Sequence, residues 1–217
     1  MRYKAILFDL DGTLLNTLND IGNAVNRVLS RQHFPIHPID AYRYFLGDGV
    51  KMLITRALAA DKRHEPLIHR CMEEFTQEYA RNWNRETTLY PGISEMLDMV
   101  QARGLKLAIF SNKPQEFTQY CADEFLSKWI FEVVLGHQAS IPHKPDPTGA
   151  LAIAHQIGMA PVSFLYLGDT GVDMQTACAA GMFPVGALWG FRSLAELEAN
   201  GAKVVVHHPL DVAGLCD

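Results

Sequence analysis

Residues 6–16 read ILFDLDGTLLN: an apolar run, Ile6 to Phe8, is followed by two aspartates, Asp9 and Asp11, and then by Gly12 and Thr13. Ile6, Leu7 and Phe8 read as a buried strand. A carboxylate at the end of such a strand is costly to desolvate unless it meets a cation or hydrogen-bond donors, so the pair predicts a site there. Residues two apart in an extended chain point the same way, which lets Asp9 and Asp11 share that site, and Gly12 permits an immediate turn. Asp-Gly alone is also a common turn pair. The rest of the chain decides between the two readings.

From about residue 90 amphipathic helices alternate with short apolar runs. Ile93, Met96, Leu97 and Val100 fall at helical spacing before Gly104, LKLAIF is the next strand, and Pro114 suits the start of another helix. FEVVL, SFLYLG, FPVGAL and KVVVH read as further strands, separated mostly by helical patterns near 146–157, 173–180 and 193–200. With KAILFD at the N-terminus this is the pattern of βαβ units around a parallel sheet. Residues 16–85 read differently, with helix-forming stretches and no β-branched run. They are expected to form a helical insert beyond the carboxyl end of the first strand, where open α/β folds place their ligands, so that it could cover a site.

The 217 residues are 48% hydrophobic, enough for a sizeable core, with 19 basic against 24 acidic residues and a net charge of −5. That balance offers no broad attraction to nucleic acid or to anionic membranes and favours a small ligand met locally. Cys71, Cys121, Cys178 and Cys216 form no zinc-type cluster. MRYKAILFDLDG lacks the apolar stretch of a signal peptide, and no run approaches the ~18 apolar residues of a membrane span, so a cytoplasmic protein is expected. GDGVKM has Met52 where a dinucleotide fingerprint needs its third glycine.

The expected strand ends carry Asp9 and Asp11, Ser111 and Asn112, and Asp169 and Asp173. A parallel sheet gathers all of them at one edge, where four carboxylates without a cation would repel and raise each other's pKa. Oxygen ligands with no Cys or His among them point to Mg²⁺. Lys144 stands in HKPDP among stiff prolines, where its ammonium can neutralise a phosphate oxygen. Cation, lysine, hydroxyl and amide together suit a phosphoryl group, with Asp9 the natural attacking carboxylate and Asp11 free to move protons. Ser111 and Asn112 also suit a helix cap before Pro114.

DLDGTLLNT, FSNKP, HKPDP and GDTGVDM, in that order and spacing, resemble the four motifs of the haloacid dehalogenase superfamily, specifically its phosphatases with a small helical cap. LGDGVKMLITRAL and SNKP most resemble the phosphoglycolate phosphatases. The resemblance implies a Rossmann-like α/β core, residues 1–15 and 86–217, with a helical cap domain inserted at 16–85. It implies Asp9 as nucleophile and Mg²⁺ ligand, and Asp11 as general acid and base with its backbone carbonyl on the metal. Ser111 and Asn112 would bind phosphate oxygens, Lys144 would stabilise the phosphoryl group, and Asp169 and Asp173 would complete the metal site, either directly or through water.

The expected activity is Mg²⁺-dependent hydrolysis of a small phosphorylated metabolite through an aspartyl phosphate, with 2-phosphoglycolate the leading substrate. A sugar phosphomutase, a pyrophosphatase or a dehalogenase of the superfamily, and a non-enzymatic phosphoacceptor module, are the competing readings. Asn16 and Thr17 depart from the DGTLxDS of many relatives, in the hinge to the insert. Lys51 and Arg56 in the insert are candidates to reach a substrate carboxylate, against their reading as surface charges.

Overall fold

Ala5–Phe8 form strand β1, and none of its four side chains is more than 1% exposed in the computed structural model, which describes residues 3–216. The chain continues through β2 (Leu15–Asn16), α1 (Leu18–Arg31), α2 (Tyr42–Phe45), α3 (Gly49–Ala57), α4 (Glu65–Asn82) and β3 (Thr88–Leu89). It then alternates: α5 (Ile93–Ala102), β4 (Lys106–Pro114), α6 (Gln115–Phe125), β5 (Phe131–His137), α7 (Thr148–Ile157), β6 (Phe164–Gly168), α8 (Gly171–Ala180), β7 (Phe183–Ala187), α9 (Leu194–Ala199), β8 (Val204–Val206) and α10 (Asp211–Gly214). Two compact units result. One takes in the chain up to Asn16 and from Leu89 onward, the other Thr17–Thr88.

In the first unit six strands lie in the order β5-β4-β1-β6-β7-β8, every neighbouring pair parallel. The period of two sorts the side chains by face: Ala5 and Leu7 of β1, Ala108 and Phe110 of β4, and Phe164 and Tyr166 of β6 share one core cluster. Ala150, Ile153 and Ala154 of α7 and Ala177 and Ala180 of α8 belong to the same cluster. Burial of each large apolar side chain is worth about 1.5–3 kcal/mol. From β1 the chain winds outward to β4 and β5, then returns to place β6 on the other side of β1. The sheet therefore reverses its winding at β1, and the crevice beyond the carboxyl ends of β4, β1 and β6 is where an open α/β sheet holds its ligand.

The second unit is helical. On α1, Leu18, Ile21, Ala24, Val25, Val28 and Leu29 are buried at helical spacing, and on α4 Ile68, Cys71, Phe75 and Tyr79 repeat the pattern. Buried Glu78 of α4 takes Arg27 and Arg31 of α1 as partners. Buried Asp20 accepts hydrogen bonds from the backbone N–H groups of Glu86 and Thr87 and from the Thr87 hydroxyl, at 2.8–3.0 Å. That grip carries the unit to Thr88, whereas the pattern of helix formers alone put its boundaries at 16 and 85. Among the described residues no helix is long and apolar enough to cross a membrane.

Candidate active site

Asp9 follows β1 directly, and its N–H donates to the Leu167 carbonyl of β6 at 2.9 Å, so the neighbouring strand fixes its backbone. Asp169 follows β6 in the same way, and Asp173 lies in the first turn of α8. One carboxylate oxygen from each of these three buried residues falls within 4.8 Å of the others. Asp173 is set by a capping box: its Oδ2 accepts from the Thr170 N–H (3.0 Å) and hydroxyl (2.6 Å). Its Oδ1 accepts from Lys144 Nζ at 2.7 Å and from the Tyr166 hydroxyl at 3.4 Å. Asp169 has one donor on each oxygen, the Thr13 hydroxyl on Oδ1 (3.0 Å) and the Phe191 N–H on Oδ2 (2.7 Å).

Lys144 is 4% exposed and precedes a cis bond to Pro145. Besides Asp173, its Nζ donates to the Phe110 carbonyl at 3.2 Å and stands 2.9 Å from Asp9 Oδ1. That oxygen has no aligned hydrogen bond despite its burial. Asn112 holds the Lys144 backbone from both sides: its Oδ1 accepts from the Lys144 N–H (2.9 Å) and its Nδ2 donates to the Lys144 carbonyl (3.3 Å). Ser111 is buried on the same strand, and its Oγ accepts from the Lys113 N–H at 3.3 Å.

Strand β4 runs on to Pro114, four residues past the last residue of LKLAIF at Phe110 and into the motif itself, so neither Ser111 nor Asn112 caps α6. The cap residue is Pro114, without a side-chain hydrogen bond.

Burial and the neighbouring Asp173 push Asp9 up to about 7, against the pull of Lys144. Burial, Asp9 and Asp173 raise Asp169 well above the ordinary carboxylate range, opposed by the Phe191 N–H and the Thr13 hydroxyl. Burial disfavours the charged form of Lys144, but Asp173 and Asp9 outweigh it and hold the ammonium well above the usual lysine range. The cluster thus concentrates negative charge in a buried, all-oxygen setting that suits a small hard cation. Open acceptor capacity lies on Asp9 and Asp169. The four donors on Asp173 match the roughly four acceptor positions a carboxylate has.

Asp11 lies beside this cluster but is not within it. Both of its carboxylate oxygens accept from Lys113 Nζ, at 3.0 and 3.2 Å. Lys113, Thr13 and the Phe191 N–H are site components that motif reading missed. For Lys113 a signal was present, since SNKP places a cation two residues beyond Ser111 on the same strand. Gly12, read from the sequence as a turn residue, does have a φ of +89°, and a Cβ built on it or on Gly190, which the sequence did not single out, would collide with the Asp169 carboxylate. In the helical unit Lys51 pairs with Glu65 at 2.8 Å, and Arg56 pairs with Asp48 at 2.5 Å and donates to the Phe45 carbonyl at 3.1 Å.

The chain matches known proteins along most of its length. The family model described as haloacid dehalogenase-like hydrolase matches residues 6–187. A phosphoglycolate phosphatase of Pseudomonas putida is 30% identical over 207 residues, which cover 94% of this chain and 76% of the relative. A solved structure from Lactobacillus delbrueckii subsp. bulgaricus superposes with a TM-score of 0.95 at 29% identity, covering 100% of this chain and 99% of that one. A predicted phosphoglycolate phosphatase from Haemophilus somnus superposes with a TM-score of 0.92 at 27% identity, again covering 100% and 99%.

Proposed function

The chain belongs to the haloacid dehalogenase-like hydrolase family and is a phosphoric monoester hydrolase, and from that premise we propose that it cleaves 2-phosphoglycolate, with Mg²⁺, through an aspartyl phosphate on Asp9. The observation that carries the mechanism is the position of Asp9: a buried carboxylate at the switch point of the sheet, flanked by a lysine and by two further carboxylates. Support for the substrate comes from the relatives named as phosphoglycolate phosphatases.

Asp9 and Asp169, with their open acceptor positions, would hold Mg²⁺ directly, joined by the backbone carbonyl of Asp11. Asp173, its oxygens taken by other donors, would serve the ion indirectly by holding Lys144. When bound, Mg²⁺ supplies positive charge against the phosphoryl oxygens and offsets the repulsion among the carboxylates. The Ser111 hydroxyl and the Lys144 ammonium bind phosphate oxygens, and Asn112 contributes by fixing Lys144. The Asp9 carboxylate attacks phosphorus as the ester P–O bond breaks, and Asp11 gives its proton to the departing alkoxide. Water then attacks the aspartyl phosphate, its proton passes to Asp11, and the bond from Asp9 to phosphorus breaks.

The test is phosphate release from 2-phosphoglycolate, p-nitrophenyl phosphate and pyrophosphate, with Mg²⁺ and with excess chelator. Mg²⁺-dependent release, fastest from 2-phosphoglycolate, is expected. Ca²⁺ should inhibit, since it takes more oxygen ligands at longer distances and disturbs the in-line geometry. Full activity in chelator would overturn the metal assignment, and preference for another ester would overturn the substrate.

A further inference from the structure

Lys113 has no part in the mechanism just described, yet its side chain is only 4% exposed, and burying an ammonium is costly unless it is paired. Its Nζ meets both oxygens of Asp11. On β4, Lys113 stands two residues beyond Ser111, and its N–H donates to the Ser111 hydroxyl oxygen at 3.3 Å. The Asp11 backbone is held as well. The N–H groups of Leu14 and Leu15 donate to the Leu10 carbonyl at 3.0 Å, and that of Gly12 to the Leu15 carbonyl at 2.8 Å. The two lysines therefore divide the carboxylates: Lys144 serves Asp9 and Asp173, and Lys113 serves Asp11 alone among them.

Resting on the phosphatase reading above, we infer that Lys113 is a positioning residue for Asp11. By meeting both oxygens it restrains rotation of the carboxylate and keeps one oxygen turned toward the leaving group and, later, toward the attacking water. It touches neither phosphorus nor the phosphate oxygens. Lys113 acts through Asp11, and its loss should reproduce the loss of Asp11 chemistry without impairing attack by Asp9.

The experiment compares wild type, Lys113→Met, Asp11→Asn and the double variant on two esters without a carboxylate. p-Nitrophenyl phosphate has a leaving group that needs little protonation, whereas ethyl phosphate must have its alkoxide protonated. In Lys113→Met the initial burst of p-nitrophenolate should keep its wild-type rate within about threefold, with slower steady-state turnover. Single-turnover cleavage of ethyl phosphate should fall by about 10² or more, the usual scale of acid-base assistance. The double variant should be no slower than Asp11→Asn on either ester, because residues acting as one unit are not additive. This comparison holds even if Lys113→Met, with a buried carboxylate left unpaired, fails to fold.

Equal losses on both esters, as a purely structural role would give, would overturn the inference. So would a further tenfold loss in the double variant, or a defect seen only as a raised KM for 2-phosphoglycolate. Absence of phosphate release by the wild-type protein from every ester would instead overturn the phosphatase reading, and this inference with it.

Discussion

Asp9 is 5% exposed, stands 2.9 Å from Lys144, and is pushed up to about 7 by burial and by Asp173. An ionised carboxylate there is costly until a cation arrives, and on the proposed reading it is then the attacking group at the sheet edge. Replacing it with an amide removes the attacking oxygen while conserving shape. Asp9→Asn should therefore fall below about one part in 10³ of wild-type turnover with an unchanged far-ultraviolet circular dichroism spectrum. Mass spectrometry after rapid quench with p-nitrophenyl phosphate should find phosphate on the wild-type peptide containing Asp9 and none on the variant. Near-normal turnover in a verified Asp9→Asn preparation would end the assignment of Asp9 as nucleophile.

At the scale of elements, the site is made by strand ends and by the loops that pack against them. The loop after β7 brings Gly190 against Asp169 so closely that a methyl group cannot be added without moving the carboxylate, while the neighbouring Phe191 N–H fixes its Oδ2. Gly190→Ala is expected to lower Mg²⁺ affinity by about 10- to 100-fold, the range for lost support behind a metal ligand. Overpacking should also cost about 1–3 kcal/mol of stability. Isothermal titration calorimetry with Mg²⁺ measures the first effect, and unchanged affinity in a folded variant would show that Asp169 does not need this loop.

The same packing explains what was legible beforehand. Apolar runs ending in Asp9, Ser111 and Asp169 announce buried parallel strands with chemistry at one edge, because burial and alternation are written locally. The contact of Thr13 with Asp169 spans 156 positions, and the Phe191 donor is a backbone group that no side-chain motif reveals. Asn112 carries the residue type of a phosphate ligand, yet its amide is turned to the Lys144 backbone, which only the approach of the 144 loop to β4 decides. The end of the helical unit was displaced for a similar reason, since Asp20 captures Glu86 and Thr87 across 66 and 67 positions.

For the whole molecule, the acidic cluster ties folding stability to both pH and cation. Asp9 moves from an ordinary 3.8 to about 7 on folding, so between these values the folded chain binds more protons than the unfolded one. With the raised Asp169 acting in the same direction, the contribution of these groups to metal-free stability is fully present below about pH 4 and is lost as pH rises through 7. A divalent cation competes with those protons for the same oxygens, so it binds weakly where they are protonated and tightly where they are ionised. Mg²⁺ at about a hundredfold over its dissociation constant contributes about 2.7 kcal/mol to folding. For a chain of this size that corresponds to a rise of about 5–10 °C in melting temperature. Thermal denaturation with MgCl₂ or with chelator should show that rise at pH 8 and little of it at pH 5, with Asp9→Asn losing most of the pH 8 effect. Equal shifts at the two pH values, or none at pH 8, would mean that the cation does not bind through the carboxylates of Asp9 and Asp169.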